Sequence, residues 1–268
     1  MSECNHDCAN CGENCASREK EIIVPTEDTK IKKIVGVLSG KGGVGKSMVT
    51  GLLAVELSRK GYKVGIMDAD ITGPSIPKMF GLKEQLFGDD KGIFPAETLG
   101  GIKAISINMM LENEETPVLW RGPIVGGIVR QFYSEVHWGE LDYLLIDMPP
   151  GTSDVAISVF QDIPVDEIVM VSTPSKLVSM VVAKAVNMAD QINVPVVGLV
   201  ENMAFVKCDE CGHEINIYTE DQTEYFAHRY GMEVLAKLPI DPKLANLADD
   251  GVIEGYEGDY LARIVEKL

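Results

Sequence analysis

The chain has no run of about 18 apolar residues, so no segment of its sequence reads as a bilayer-spanning helix. Its first twenty residues are polar and lack the apolar stretch of a secretory signal, which gives the expectation of a cytoplasmic protein. Basic charge is scarce: 24 Lys and Arg against 41 Asp and Glu leave a net charge of −17. No local basic patch offsets it, which argues against a nucleic-acid binder or a reader of anionic membranes. The stretch from Asp241 to Leu268 is acidic too, a poor membrane-targeting tail. Internal repeats are absent. Cysteine is rare outside one place: of six, four fall between residues 4 and 15. A reducing cytosol disfavours disulfides, so clustered thiols there read as metal ligands or redox groups.

What the chain has in quantity is apolar side chains, at 46% of 268 residues, ample for a core. From Lys32 onward, short β-branched runs alternate with helical patterns. Strands are expected over 32–40, 62–70, 101–108, 141–150, 166–174, 194–202 and 232–239. Most are apolar without strict alternation, as when both faces of a strand are covered. Helices are expected over 47–60, 123–136, 153–161, 176–191 and 221–230; Gly61 is a natural stop for the first. The fold class is therefore α/β, a mostly parallel sheet flanked by helices with right-handed crossovers. The organisation reads as a Cys-rich metal-binding extension and charged linker over 1–31, then a single domain over 32–268.

The first strand runs into SGKGGVGKS and a helix follows at once, which is the G-x-x-x-x-G-K-[ST] phosphate loop. Gly40, Gly42, Gly43 and Gly45, with Val44, let the backbone curl so that successive N–H groups and the helix N-terminus, at Ser47 and Met48, face phosphate oxygens. Lys46 would neutralise β- and γ-phosphate charge, and Ser47 would ligate Mg2+. Two further strand ends carry carboxylates. Asp147 in YLLIDMPPG can hold Mg2+ directly or through water, and GIMDADITGPS presents Asp68, a second metal candidate, and Asp70. Ligands of open α/β sheets sit at the carboxyl ends of strands, so the three aspartates can converge on one ATP site.

The loop GKGGVGKS, with its additional Lys41, resembles the deviant Walker A class of P-loop ATPases. DADITGPSIPKMFG, LWRGPIVGG, DYLLIDMPPGTSD and VENMAF together resemble the Mrp/ApbC family of iron-sulfur cluster carrier ATPases, over about residues 32–268. The resemblance implies a homodimer with ATP between subunits, Lys41 reaching nucleotide across the interface and Asp70 orienting or activating the attacking water. It further implies switch segments at 68–75 and 147–152, and adenine contacts from Asn202 and from the turn holding Pro239 and Asp241. Trp120, Arg121, Gly122 and Pro123 match a family signature and read as a structural loop.

In KCDECGH, Cys208 and Cys211 form a C-x-x-C in a polar loop. One pair supplies two ligands, whereas a tetrahedral zinc or a cubane cluster usually takes four. The resemblance implies that the pair from a second subunit completes a bridging [4Fe-4S] cluster; with His213 instead, the residues fit a Cys/His zinc knuckle, and free thiols are the third reading. Cys4, Cys8, Cys11 and Cys15, spaced x3, x2, x3, can wrap one centre within a single chain. The family's cytosolic scaffolds have longer intervals there, so iron and zinc both stay open. The function expected is ATP-dependent cluster carriage to apo-proteins by a slow ATPase. The competing readings are a positioning ATPase of the chromosome-partitioning or septum-placement type, which lacks its basic surface here, and an electron-transfer ATPase similar to the nitrogenase iron protein. The latter carries a cysteine near the end of its second switch, and DMPPGTSD has none.

Overall fold

The structure is a computed structural model, and it describes residues 23–71, 73–111, 122–174, 176–208, 210–218 and 223–268. The N-terminal Cys4, Cys8, Cys11 and Cys15 lie outside these residues, as do Trp120 and Arg121.

Seven strands build the parallel body of the sheet: β1 (Lys30–Ser39), β2 (Val64–Asp68), β6 (Lys103–Ile105), β7 (Glu140–Asp147), β8 (Glu167–Ser172), β9 (Val196–Lys207) and β11 (Val234–Pro239). Their spatial order is β11-β9-β8-β1-β7-β2-β6, every neighbouring pair parallel. Two short strands extend it antiparallel, β5 (Ala96–Glu97) on β6 and β10 (Glu214–Asn216) on β9. A separate two-stranded ribbon pairs β3 (Gly88–Asp89) with β4 (Gly92–Ile93).

Alternation along each strand explains why the central runs are apolar throughout. Ile34 and Leu38 of β1, Leu144 and Ile146 of β7, and Ile168 and Met170 of β8 enter one hydrophobic cluster. Their neighbours Val35 and Val37, Tyr143 and Leu145, and Val169 and Val171 enter the other. A period of two with apolar residues on both sides requires helices on both faces. On the first face lie α3 (Gly122–Ser134), α4 (Asp154–Asp162) and α5 (Lys176–Ile192), with α6 (Thr223–Arg229) beside them. On the second lie α1 (Lys46–Arg59), α2 (Ile76–Met79), α7 (Pro242–Asp249) and α8 (Ala262–Lys267).

The expected strands and the five expected helices are all present, with ends displaced by a few residues. β9 differs most: it continues five residues beyond Asn202, because its outer half gains partners in β11 and β10. The residues just before residue 32 are tied to the sheet domain. Thr26 Oγ1 and Thr29 Oγ1 donate to the Val136 carbonyl at 3.2 and 3.4 Å, and β1 starts at Lys30. This root of the N-terminal extension enters at the amino end of β1, whereas the phosphate loop leaves from its carboxyl end. Ten residues at about 3.3 Å each put roughly 33 Å between them.

Candidate functional site

The strand-to-helix turn after β1 has the local geometry that its glycines predict. Gly43 and Gly45 take φ of +78° and +80°, a region open to glycine at no steric cost. Gly45 is also the N-cap of α1 and offers no side-chain acceptor, and α1 has no acidic residue in its first turn. The amides and positive dipole end of a 14-residue helix are thus presented without a protein anion to cap them. Ser39 Oγ donates to the Lys41 carbonyl at 3.0 Å and helps fold the loop back on itself.

Three carboxylates converge beside this loop, as expected. Asp68 and Asp147 are register partners on adjacent strands β2 and β7, and both side chains are fully buried. Lys46 Nζ lies 2.7 Å from Asp147 Oδ1 and 3.6 Å from Asp70 Oδ2. Ser47 Oγ donates to Asp147 Oδ2 at 2.5 Å, so the two oxygens expected at Mg2+ already sit side by side. Hard oxygen donors, one of them a fully buried carboxylate, suit Mg2+. Lys46, Ser47, Met48, Asp70 and Gly42, Gly43 and Gly45 share a cavity of about 460 Å³ with Ser39, Pro150 and the end of α7. The residues present fit a nucleoside triphosphate with its Mg2+.

Asp68 takes a different position from its neighbours. Its Oδ1 accepts from the Asp70 amide at 3.2 Å, and its Oδ2 accepts from the Ile76 amide at 3.4 Å and from Ser106 Oγ at 3.1 Å. The carboxylate therefore ties both ends of the segment that carries Asp70. Burial, and then the charge of Asp147, push its pKa up to about 7, with Lys46 opposing.

Two hydroxyls that sequence reasoning passed over complete the arrangement. Thr50 Oγ1 donates to Asp147 Oδ1 at 2.8 Å, and Ser106 holds Asp68. Thr50 had a signal, since it stands one helical turn beyond Lys46 and Ser47 on the same face. Ser106, on the far side of the sheet order, had none.

Lys41 is exposed and makes no ion pair among the described residues. Asn202 is buried, and its Nδ2 donates to the Val44 carbonyl of the loop at 2.9 Å. Pro239 and Asp241 line a second cavity of about 300 Å³, together with Lys207, Cys208 and Tyr260. The Asp241 carboxylate has structural duties there: it caps α7 through the Lys243 amide at 2.8 Å and accepts from Tyr256 OH at 2.9 Å.

The C-x-x-C turn closes the hairpin from β9 to β10. The Cys208 amide donates to the His213 carbonyl and the Gly212 amide to the Cys208 carbonyl, each at 2.9 Å. Gly212 takes φ of +71°, which permits the tight turn. Cys208 is half-buried and Cys211 exposed. Among the described residues no cluster of three or more His, Cys, Asp or Glu is placed to hold a metal by itself. The two thiols lie at the same carboxyl end of the sheet as the phosphate loop.

A parallel sheet whose first strand feeds a glycine loop into an uncapped helix, with buried aspartates on the neighbouring strand ends, defines a P-loop nucleotide-binding protein. The family profile of NUBPL iron-transfer P-loop NTPases matches residues 30–267, and the chain belongs to this family. An iron-sulfur cluster carrier protein of Clostridium perfringens is 46% identical over 267 residues, covering 93% of this chain and 94% of its own. Another protein of that name, from Methanocaldococcus jannaschii, is 43% identical over 94% of this chain and 90% of its own. Among solved structures, a nucleotide-binding protein of Archaeoglobus fulgidus in complex with ADP superposes with a TM-score of 0.78 at 45% identity, covering 86% of this chain and 91% of its own. The cell division ATPase MinD of Pyrococcus furiosus superposes with a TM-score of 0.62 at 19% identity over 88% of this chain and 98% of its own, a likeness of fold alone.

Proposed function

We propose that this protein is an ATP-dependent carrier that holds an iron-sulfur cluster on Cys208 and Cys211 and delivers it to apo-proteins. The observation that carries the reading is the placement of a two-thiol turn at the nucleotide end of a P-loop sheet. Relatives above 40% identity that bear the name of cluster carriers support it.

In this reading Lys46 leaves Asp147 and Asp70 for the phosphates when ATP enters, and the α1 amides take the phosphate oxygens. Ser47 and Asp147 would hold Mg2+, which would supply charge neutralisation of the phosphates. Asp70 accepts a hydrogen bond from the attacking water and orients it, and Asp68 positions Asp70 through its backbone amide. Lys41, free of ion pairs among the described residues, contacts nucleotide bound to a second copy. That copy also brings the second C-x-x-C, so four thiolates bridge one [4Fe-4S] cluster between subunits. Asn202, Pro239 and Asp241 border the adenine.

The N-terminal Cys4, Cys8, Cys11 and Cys15 hold a separate centre, iron-sulfur or zinc. The root of that segment lies at the opposite end of the sheet from the C-x-x-C turn, which favours a division of roles. The protein works in the cytoplasm as a homodimer, without nucleic acid or membrane as partner. The net charge of −17 argues against nucleic acid and anionic membranes as partners, and among the described residues no helix is long and apolar enough to cross a membrane.

The test is anaerobic reconstitution with iron and sulfide, followed by metal and sulfide analysis of the wild type and of Cys208→Ala/Cys211→Ala. The wild type is expected to bind about four iron atoms per dimer at this site beyond what the variant retains. Zinc in place of iron, or equal iron in both proteins, refutes the carrier reading.

A further inference from the structure

β9 is one strand with two functional attachments. At residue 202 the Asn side chain grips the phosphate loop through the Val44 carbonyl at 2.9 Å. The same strand ends at Lys207, and Cys208, six residues after Asn202, follows at once. The contact at the first attachment has no slack: a Cβ built on Gly45 would lie 2.1 Å from Asn202 Nδ2 and 3.7 Å from Met203 Cε.

Between the two attachments the backbone departs from regular strand. Met203 takes φ of +57°, a left-handed conformation that a long L side chain rarely adopts. The pairing with β11 shifts at the same place, because Lys237 faces Glu201 while Pro239 faces Phe205. Two steps along β11 therefore span four along β9, and residues 202–204 bulge. Both flanks of the bulge are held. Upstream, buried Glu201 pairs with Lys237 at 3.3 Å and with Ser172 in register. Downstream, the Ile240 amide donates to the Phe205 carbonyl at 2.8 Å, and residues 205–207 pair with β10.

We propose that this bulge is the coupling element between the two sites, with Met203 as its positioning residue. A shift of Val44 and Gly45 as phosphates enter moves Asn202 and Met203. Because both flanks are pinned, the movement passes along β9 to the Cys208–Cys211 turn instead of dissipating in a loop. The left-handed backbone, a costly state that persists only where its surroundings over-determine it, keeps the segment stiff. The proposal deepens the carrier reading and rests on it for the identity of the cargo. Its mechanical content does not require a cluster.

The experiment uses the full-length apo-protein and reads iodoacetamide alkylation of Cys208 and Cys211 separately by peptide mass spectrometry. Rates are compared without nucleotide, with Mg-ADP and with a non-hydrolysable Mg-ATP analogue. In the wild type the analogue is expected to change the rate at one or both thiols on the order of fivefold. Met203→Gly, which suits a left-handed site and keeps the fold, should bring the ratio to within about twofold of unity while nucleotide affinity stays within about twofold of wild type. Met203→Leu, which keeps an L side chain at φ of +57° against the loop, should retain the wild-type ratio. An undiminished ratio in Met203→Gly, or a wild type whose thiols ignore nucleotide, overturns the proposal. Failure of cluster uptake in the reconstitution above refutes the carrier reading and leaves this readout unaffected.

Discussion

Replacing Lys46 by methionine keeps most of the side-chain volume and removes the ammonium from between Asp147 and Asp70. Lys46 is 6% exposed and Asp147 fully buried, so in the nucleotide-free protein the change strands a buried carboxylate. Breaking such a pair from one side costs about 3–5 kcal/mol. Asp147 keeps the hydroxyl donors of Ser47 and Thr50, which places the expected cost at the lower end, about 3 kcal/mol. With an unfolding entropy of about 2.1 cal/mol/K per residue over roughly 240 folded residues, that is a fall in Tm of about 6 °C. The deficit depends on pH. Asp68, pushed up to about 7 mainly by burial and next by Asp147, loses the opposing charge of Lys46 when the lysine is gone. Its ionised form is the destabilising one, so the penalty is full above its folded pKa and shrinks as pH falls and Asp68 takes up a proton. Calorimetry of nucleotide-free Lys46→Met at pH 8 and pH 6 should show the larger deficit at pH 8. Lys46→Met/Asp147→Asn should recover most of it. A single variant melting within about 2 °C of wild type at pH 8 would refute the assignment of a buried pair whose partner is left uncompensated.

Two further outcomes follow from the same geometry. Gly45→Ala places a methyl group 2.1 Å from Asn202 Nδ2 at φ of +80°; isothermal calorimetry should show at least about a tenfold loss of ATP affinity, and unchanged affinity would mean the loop is not seated as described. His137, whose Nδ1 lies 3.1 Å from both Asp28 carboxylate oxygens and whose Nε2 lies 3.4 Å from Asp89 Oδ1, has its pKa raised first by Asp28, then by Asp89. The protonated ring thus fastens the root of the N-terminal extension to the β3–β4 ribbon. Its stabilisation is complete below the unfolded value near 6.5 and disappears as pH rises through the higher folded value. Melting curves between pH 5.5 and 8.5 should show wild type losing more stability across that window than His137→Gln, and parallel losses would remove the ring from the explanation.

Much of the fold was legible because its causes are local or periodic. The apolar runs of β1, β7 and β8 announce strands covered on both faces, and the glycine loop with its helix is contiguous in sequence. Lys46 and Ser47 follow from the phosphate-loop motif, Asp70 and Asp147 from their places at strand ends, and the four side chains do meet. Short elements were not legible. α7 and α8, with eight and six residues, offer too few turns for a period to emerge, and β5 and β10 exist only because longer strands pair with them.

The sequence by itself determined the identity of the phosphate loop, the residue types around it and the presence of a two-thiol turn, since each is written within about ten consecutive residues. Only the tertiary structure decided which distant groups answer them. Ser47 meets Asp147 across 100 residues, and Asn202 meets Val44 across 158. Such contacts depend on strand order and register, and a shift of one residue in β9 would turn Asn202 from the loop to the opposite face of the sheet. The link from nucleotide to cysteine is of this second kind: it arises where a pinned strand is forced to bulge, and no local preference of methionine announces it.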